Sequence, residues 1–301
     1  MSKLVVTGGA GFIGSHIVDK LIESGHQVVV IDNLMLGKKS FVNKKAKFVK
    51  ADIRDIKKLQ KYFVGAEAVF HLAADPRLQV SVEDPVATHE INVTGTINVL
   101  EAARKTGVKK VIFSSSCAVY GDAAVLPINE NTAPNPLSPY GLHKLMGEQY
   151  CRLYSNLFGL ETVCLRYFNV FGPRKLATGS YPMVIPVFLD QRQRGKSMTV
   201  VGDGTATRDY VYVSDVANAN MLAWKSNVKD GSPINIGTGV QVSVNQIAKL
   251  IGGPVINLPP RAGEMKKIQA DNIKAKQLLG WVPTVKFEDG LKELKKEWKV
   301  E

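Results

Sequence analysis

Cysteine is scarce in this chain of 301 residues. The three that occur, Cys117, Cys151 and Cys164, form no CxxC pair, which argues against a structural zinc or dithiol site, and no metal site is predicted. We interpret them as reduced core residues. Long apolar runs are also missing, because no stretch approaches the roughly 20 residues of a membrane span, and the first residues lead into a strand rather than a signal peptide. The sequence therefore predicts a soluble, cytoplasmic protein.

Acidic residues are too few to balance the basic ones, which leaves a formal net charge of +12. Such a charge would suit a nucleic-acid-binding protein, because Lys and Arg bind the phosphates of nucleic acids. The lysines are dispersed in short pieces, however, and no basic helix or aromatic platform is evident, so no nucleic-acid partner is predicted. We interpret most of these charges as solvated surface. The alternative is that a few of them hold a small anionic substrate.

Short β-branched runs alternate with amphipathic helical patterns through the first half of the chain. The predicted strands are residues 4–7, 27–31, 48–49, 68–72, 110–114 and 162–165. This alternation predicts an α/β fold, a Rossmann-type doubly wound parallel sheet over residues 1–170. Gly/Pro-rich loops after residue 170 indicate that residues 171–301 form mainly a smaller α/β substrate-binding lobe. Strand-like segments near 210–237, at 210–213 and 234–236, are expected to return to the main sheet.

A glycine-rich turn joins the first strand to a helix that ends at Ser24-Gly25. Gly8 would permit the tight turn, Gly11 the approach of a diphosphate, and Gly14 close helix packing. Phosphates are favoured at a helix N-terminus. Asp32 ends the second strand, where its carboxylate can accept ribose hydroxyls and would repel a 2′-phosphate, so NAD is favoured over NADP. The alternative is that Asp32 only caps the following loop.

Further strand ends lie where side chains can face a dinucleotide. Asp52 and Ile53 follow the third strand, and Leu72-Ala73-Ala74 follow the fourth. Cofactor contact and ordinary strand-end packing are equally compatible with these positions.

Ser138-Pro139 is typical of a helix start, and the helix places Tyr140 and Lys144 on one face. An ammonium and a positive nicotinamide ring would both favour the phenolate of Tyr140, which could then take a proton from an alcohol as hydride leaves. We predict that Ser116, near the carboxyl edge of the sheet, bonds the reacting oxygen. Ser114 and Ser115 are expected to satisfy local backbone groups.

Together, the motifs TGGAGFIG, HLAA, SSSCAVYG, YGLHK and RYFNVFGPR resemble the extended short-chain dehydrogenase/reductases over essentially the whole chain. Within that superfamily the sequence is most similar to the UDP-glucose 4-epimerases and UDP-N-acetylhexosamine 4-epimerases. The resemblance implies a UDP-hexose 4-epimerase that interconverts UDP-glucose and UDP-galactose, and the N-acetylated forms, through a 4-keto sugar and transient NADH. It also implies a homodimer that pairs the helices at 88–105 and 145–157.

The family's functional residues carry over position by position. The resemblance implies cofactor contacts at Gly8, Gly11, Phe12, Ile13, Gly14, Asp32, Asn33, Asp52, Ile53, Leu72, Ala73, Ala74, Tyr140, Lys144 and Tyr167. It implies catalysis by Ser116, Tyr140 and Lys144, and substrate contacts at Ser116, Tyr140, Asn169, Val184, Val201, Arg208, Arg261 and Glu264. Bidentate binding of phosphate oxygens is a property of arginine, so Arg208 and Arg261 suit a diphosphate, with surface salt bridges as the alternative.

Two positions depart from the family pattern: Glu264 replaces an expected Asp, and Arg77 stands where small or hydroxylated residues are typical. Arg77 would touch substrate or only adjust its loop. The resemblance implies that Ile268 occupies the position that admits or excludes an N-acetyl group, and segment 177–182 resembles members that accept N-acetylhexosamines. Both kinds of sugar stay open as substrates.

Other functions remain to be weighed. Ser116 is followed by Cys117-Ala118 rather than the acid pair of related dehydratases, which disfavours dehydration. A UDP-glucuronate decarboxylase or 4-epimerase stays as an alternative. A nonenzymatic dinucleotide sensor is disfavoured because such proteins generally lose the catalytic tyrosine.

Overall fold

The structure is a computed structural model that describes residues 1–175, 183–260 and 267–300. All six predicted strands of the first half are confirmed, with small changes at their ends. They are β1 (Lys3–Thr7), β2 (Gln27–Asp32), β3 (Lys47–Lys50), β4 (Ala68–His71), β5 (Lys110–Ser116) and β6 (Glu161–Tyr167). Most are buried along nearly their whole length, as expected for parallel strands covered on both faces.

Helices connect these strands and cover the two faces of the sheet. They are α1 (Phe12–Glu23), α2 (Ile56–Phe63), α3 (Leu78–Glu83), α4 (Pro85–His89), α5 (Gly95–Lys105) and α6 (Pro139–Phe158). The predicted end of α1 is confirmed, because Gly25 follows it with φ +82, a conformation that glycine adopts without strain. A π-helical turn, Glu90–Thr94, joins α4 to α5, so the chain is helical from Pro85 to Lys105.

Within the described residues, the second half of the chain contributes six more strands and five more helices. In chain order they are β7 (Asn169–Phe171), α7 (Val184–Gln193), β8 (Met198–Val201), β9 (Thr207–Tyr212), α8 (Val213–Lys225), β10 (Asp230–Ile236), β11 (Gln241–Ser243), α9 (Val244–Ile251), β12 (Val255–Leu258), α10 (Ile273–Leu279) and α11 (Phe287–Glu297). A two-stranded parallel pair, β12-β8, and a three-stranded sheet, β11-β9-β7, lie outside the main sheet.

The expected return of segments 210–213 and 234–236 to the main sheet is half right. β10 pairs in parallel with β6 at the sheet edge, with Ile234 opposite Leu165. The prediction for 210–213 is wrong, because β9 pairs with β7 and β11 instead. Phe168 is the last residue bonded to the main sheet, since its N–H donates to the carbonyl of Ile236. The next strand, β7, lies outside that sheet, and β9 pairs with it there.

The main sheet has the order β10-β6-β5-β4-β1-β2-β3, with every neighbouring pair parallel. The strand order reverses beside β1, since β2 lies on one side of it and β4 on the other. In open α/β sheets such a reversal opens a crevice at the carboxyl ends of the strands, where ligands bind. Within the described ranges, no helix is long and apolar enough to cross a membrane.

Candidate active site

The crevice between β1 and β4 is lined by backbone that approaches too closely for side chains. Gly8 has φ +74, and a Cβ there would lie 2.6 Å from the backbone nitrogen of Ala73. A Cβ at Gly14 would lie 2.2 Å from the carbonyl oxygen of Gly8. The tight turn expected at Gly8 is confirmed, and Gly14 packs against the turn itself. Leu72 and Ala73 therefore lie against the glycine loop.

Helix α1 points its N-terminus at this crevice. Gly11 is the N-cap, and the N–H groups of Phe12, Ile13 and Gly14 lie in the first turn, where no intrahelical acceptor is available. No acidic residue occupies that turn. Lys175 Nζ lies 5.2 Å from the centroid of the Phe12 ring, and burial lowers its pKa. The end of α1 thus combines a helix dipole with an ammonium group, a setting that favours an anion.

Asp32 ends β2 beside the glycine loop. Its carboxylate accepts the N–H of Ala10 at 3.0 Å on one oxygen and that of Leu34 at 2.8 Å on the other. Asp32 therefore does cap the loop that follows β2, as the alternative interpretation expected. Each carboxylate oxygen has a second acceptor position, so two ribose hydroxyls can still be bound. Burial raises the pKa of Asp32, and these two N–H groups act in the opposite direction.

Asp52 and Ile53 lie beyond the end of β3. The Asp52 carboxylate accepts Asn33 Nδ2 at 3.0 Å and a bidentate pair of bonds from Arg54 at 2.9 Å, which lower its pKa. Ile53 is buried, and a Cβ at Gly95 on α5 would lie 2.5 Å from its Cδ1. Strand-end packing is thus observed for Ile53, and cofactor contact there stays a prediction.

Helix α6 brings Tyr140 and Lys144 to the end of β5. The predicted start is confirmed: Ser138 is the N-cap, its Oγ accepts the N–H of Gly141 at 3.1 Å, and Pro139 begins the helix. Two glycines allow α6 to lie close to β5, since a Cβ at Gly141 would be 2.6 Å from the carbonyl oxygen of Ala118, and one at Gly147 would be 2.4 Å from the Phe113 ring. This close packing places the Tyr140 phenol in hydrogen-bonding contact with Ser116.

Lys144 is fixed by the strand below it. Its Nζ donates to the carbonyl oxygen of Ser114 at 2.7 Å and lies 5.9 Å from the centroid of the Tyr140 ring. Burial lowers the pKa of Lys144 to about 8. Burial also raises the pKa of Tyr140 to about 12, although its bond with Ser116 acts in the opposite direction. Desolvation is thus the largest influence on the Tyr140 pKa in the protein alone, and the expected help of the ammonium and of a bound nicotinamide ring stays a prediction.

The hydroxyls of Ser114 and Ser115 form hydrogen bonds with other side chains, whereas we expected them to bond local backbone groups. Ser114 Oγ donates to the hydroxyl of Tyr167 at 3.0 Å, and that hydroxyl also bonds Asn220. Ser115 Oγ donates to Glu148. The alternation of strand side chains sends these two hydroxyls to opposite faces of the sheet. Tyr167, the predicted nicotinamide neighbour, is buried at the end of β6, opposite Ser116 in the strand register.

The three-stranded sheet carries two of the predicted substrate residues on its neighbouring strands β7 and β9. Asn169 begins β7 and donates through Nδ2 to the backbone oxygen of Asp209 at 3.1 Å. Arg208 lies on β9, donates to the carbonyl of Thr207, and forms no ion pair with any described residue. Its charge lowers the pKa of Cys117, the residue after Ser116, against the larger effect of burial. The charge of Arg208 therefore reaches the residue next to Ser116, and the substrate roles of Asn169 and Arg208 stay predictions.

The remaining predicted substrate residues are less closely joined to this site. Val184 begins α7 and Val201 ends β8. Ile268 is buried in a hydrophobic cluster with Tyr120 and Phe168, and its role in the choice of sugar stays a prediction. Arg261, Glu264 and the segment 177–182 lie outside the described residues, and their assignments stay predictions.

Residues 4–237 match the sequence model of the NAD dependent epimerase/dehydratase family. The chain belongs to this family. The resemblance to extended short-chain dehydrogenase/reductases is thereby confirmed, and so is the α/β Rossmann-type fold. NAD is the cofactor of this family, and the residues present fit it: the Gly8–Gly14 turn leaves room only for backbone and ligand, and Asp32 retains acceptors for a ribose.

Relatives of known name match nearly the full length. A putative UDP-glucose 4-epimerase of Methanocaldococcus jannaschii is 47% identical, with 97% of this chain and 96% of the relative covered. The crystal structure of UDP-glucose 4-epimerase with UDP-glucose from Thermotoga maritima has a TM-score of 0.93 at 43% identity, covering 99% and 98% of the two chains. UDP-N-acetylglucosamine 4-epimerase from Methanobrevibacter ruminantium, in complex with UDP-N-acetylmuramic acid, has a TM-score of 0.94 at 36% identity and the same coverage.

Three charged groups at this epimerase/dehydratase site were missed from the sequence. Lys175 could have been suspected because it follows the GPR motif. Asp209 is fully buried on β9 and accepts backbone N–H groups of Thr238, Gly239 and Ala270, which anchors the strand that carries Arg208. Asp75 is buried, and its charge acts on Tyr140. No local sequence pattern marks Asp209 or Asp75, because their partners are distant or their burial depends on the whole fold.

Proposed function

We propose that this chain is a UDP-hexose 4-epimerase that interconverts UDP-glucose and UDP-galactose, and the corresponding N-acetylated sugars. The observation that carries the proposal is the meeting of Tyr140 and Lys144 of α6 with Ser116 at the carboxyl end of β5, where the charge of Arg208 on β9 also acts on the neighbouring Cys117. The similarity to two kinds of 4-epimerase over the whole chain supports the same reaction.

In this proposal Tyr140 takes the proton of the sugar 4-hydroxyl. Bound NAD supplies the group that accepts hydride from C4 and later returns it to the opposite face of the 4-keto sugar. Ser116 bonds the reacting oxygen and the phenol, so the proton has a short path between them. The Tyr140 phenol has a pKa near 12 in the protein alone, so the positive nicotinamide ring must favour its phenolate. Lys144, fixed by Ser114, adds a second positive group on the same face.

The smaller lobe would hold the UDP diphosphate. Arg208, which pairs with no carboxylate among the described residues, suits bidentate binding of phosphate oxygens. Asn169, Val184, Val201, Arg261 and Glu264 complete the proposed substrate contacts. Firm binding of UDP would leave the hexose few direct contacts, and a sugar free to turn about its link to the diphosphate can present either face to the cofactor.

A homodimer and a cytoplasmic location belong to the same proposal. Helix α6 exposes Leu142, Met146, Leu153 and Leu157, and Val86 of α4 is exposed beside them. A second copy of this face would cover these side chains as a helix bundle. The three free cysteines suit a reducing compartment.

The experiment is an epimerisation assay followed by NMR of the sugar anomeric protons. Purified protein with NAD is given UDP-galactose, UDP-N-acetylgalactosamine or UDP-glucuronate in separate reactions. We expect the first two to reach equilibrium with their 4-epimers, and Tyr140→Phe to lower the rate at least a hundredfold, the usual contribution of a positioned acid–base group. Loss of the glucuronate carboxylate would favour the decarboxylase, and no change in any UDP-sugar would contradict the proposal.

A further inference from the structure

An ion pair with a buried carboxylate and a half-buried guanidinium follows β4. Arg77 donates from Nε to Asp75 Oδ1 at 2.9 Å and from Nη2 to Oδ2 at 2.6 Å. The Asp75 side chain is only 2% exposed, whereas Arg77 is 32% exposed. The backbone of Asp75 is also held, because its N–H donates to Asn92 Oδ1 at 2.7 Å and its carbonyl accepts Asn92 Nδ2 at 2.9 Å. Asp75 therefore cannot turn toward solvent without breaking several bonds.

The ion pair is joined to the catalytic tyrosine by hydrogen bonds. The carbonyl of Arg77 accepts the N–H of Ser81 at 3.0 Å, and Ser81 Oγ accepts the backbone N–H of Tyr140 at 3.1 Å. The turn that carries Asp75 and Arg77 is thus packed directly against the start of α6. The turn therefore lies against the residue that carries the phenol.

The charged and titratable groups around Tyr140 come from three elements. Asp75 follows β4, Cys117 follows β5, and Lys144 lies one turn along α6. Burial raises the pKa of the Cys117 thiol to about 12, so it is neutral at working pH. Asp75 is therefore the negative group that opposes a phenolate, and it disfavours ionisation of Tyr140. Buried carboxylates without a partner act strongly on their neighbours because little solvent screens them.

We propose that Arg77 is a positioning residue for catalysis, because it holds the buried Asp75 carboxylate in place and neutralises it beside Tyr140, so that the phenol can carry negative charge. The proposal rests on the proposed role of Tyr140 as the base. It also assigns a role to the arginine that departs from the family pattern. Arg77 acts through Asp75 rather than on the sugar.

The first measurement is the ionisation of Tyr140 itself, which needs no turnover. NAD-loaded protein labelled with ¹³Cζ-tyrosine is titrated by NMR, and Tyr140→Phe assigns the resonance. We expect Arg77→Gln to raise the pKa of Tyr140 by about one unit, because Asp75 is left unbalanced. Asp75→Asn, which leaves Arg77 alone, should lower it. The double variant Asp75→Asn/Arg77→Gln should return it close to the wild-type value.

The second measurement is the pH profile of kcat/KM for UDP-galactose. A pKa raised by one unit leaves tenfold less phenolate at pH values below it, so Arg77→Gln should be about tenfold slower there, with KM nearly unchanged. Arg77→Lys keeps the charge and should recover most of the rate. The matched control is Arg104→Gln, which removes a bidentate arginine–carboxylate pair with Glu101 on α5, away from every residue of the proposed site, and should leave the pH profile in place.

Two results would overturn the proposal. One is a Tyr140 pKa that is the same in wild type, Asp75→Asn and Arg77→Gln. The other is a double variant as far displaced as Arg77→Gln, which would show a structural role without charge compensation. If Arg77→Gln does not fold, the downward shift expected in Asp75→Asn decides the matter alone. Because the NMR titration is independent of epimerisation, a protein without that activity would still test the ion pair.

Discussion

Removal of Arg166 should destabilise the fold more than any exposed charge change. Arg166 on β6 donates to Glu148 on α6 from Nε at 2.8 Å and from Nη2 at 2.6 Å, and the two side chains are 3% and 4% exposed. Its guanidinium also lies 4.6 Å from the centroid of the Tyr120 ring. In Arg166→Met, the hydroxyl of Ser115 would be the one hydrogen-bond donor left to Glu148 among the residues that the structure describes.

The expected loss follows from stranding a buried charge, which costs about 3–5 kcal/mol. Since whole domains are stable by only about 5–15 kcal/mol, urea unfolding followed by tryptophan fluorescence should show a markedly lower midpoint. The double variant Glu148→Met/Arg166→Met should recover most of the loss, because neither charge is then stranded. Arg104→Met, in an exposed pair with Glu101, is the matched control and should cost under about 1 kcal/mol. A loss in Arg166→Met no larger than in that control would refute the reasoning.

Three further predictions follow from the site. Gly14→Ala should purify with less than about a tenth of the wild-type NAD content, measured by absorbance after denaturation, because its Cβ would lie 2.2 Å from the Gly8 carbonyl oxygen. Lys144 has a folded pKa of about 8 against an ordinary 10.5, so the unfolded state binds more protons between these values and stability should rise with pH there. In urea titrations between pH 8 and 10.5, the free energy of unfolding of Lys144→Met should rise less with pH than that of the wild type. Lys175→Met should weaken NAD binding about tenfold in calorimetry and reduce its dependence on ionic strength, since an ammonium group is lost beside the α1 N-terminus.

The features that sequence predicted well depend on local rules. The six strands of the first half follow from short β-branched runs, and Gly8 and Gly25 occupy positions with positive φ that glycine adopts readily. Ser138 and Pro139 mark the start of α6 because capping depends on adjacent residues. These rules placed Tyr140 and Lys144 on one helix face before any tertiary contact was known.

The features that sequence could not predict depend on contacts between distant segments. The choice of β9 to pair with β7 rather than with the main sheet depends on where the chain turns after Phe168. Ser115 finds Glu148, which is 33 residues away. The ionisation of Tyr140 depends on burial by several elements, so the phenol's pKa could not be inferred from the position of Lys144 alone.

The most direct test of the central claim is the fate of deuterium at C4. UDP-galactose deuterated at C4 is incubated with the NAD-loaded protein in ordinary water, and the UDP-glucose formed is examined by NMR and mass spectrometry. Because hydride leaves and returns to the same carbon without exchange, the product should keep its deuterium at C4, and Tyr140→Phe should form it at least a hundredfold more slowly. UDP-glucose with solvent-derived hydrogen at C4 would contradict the account.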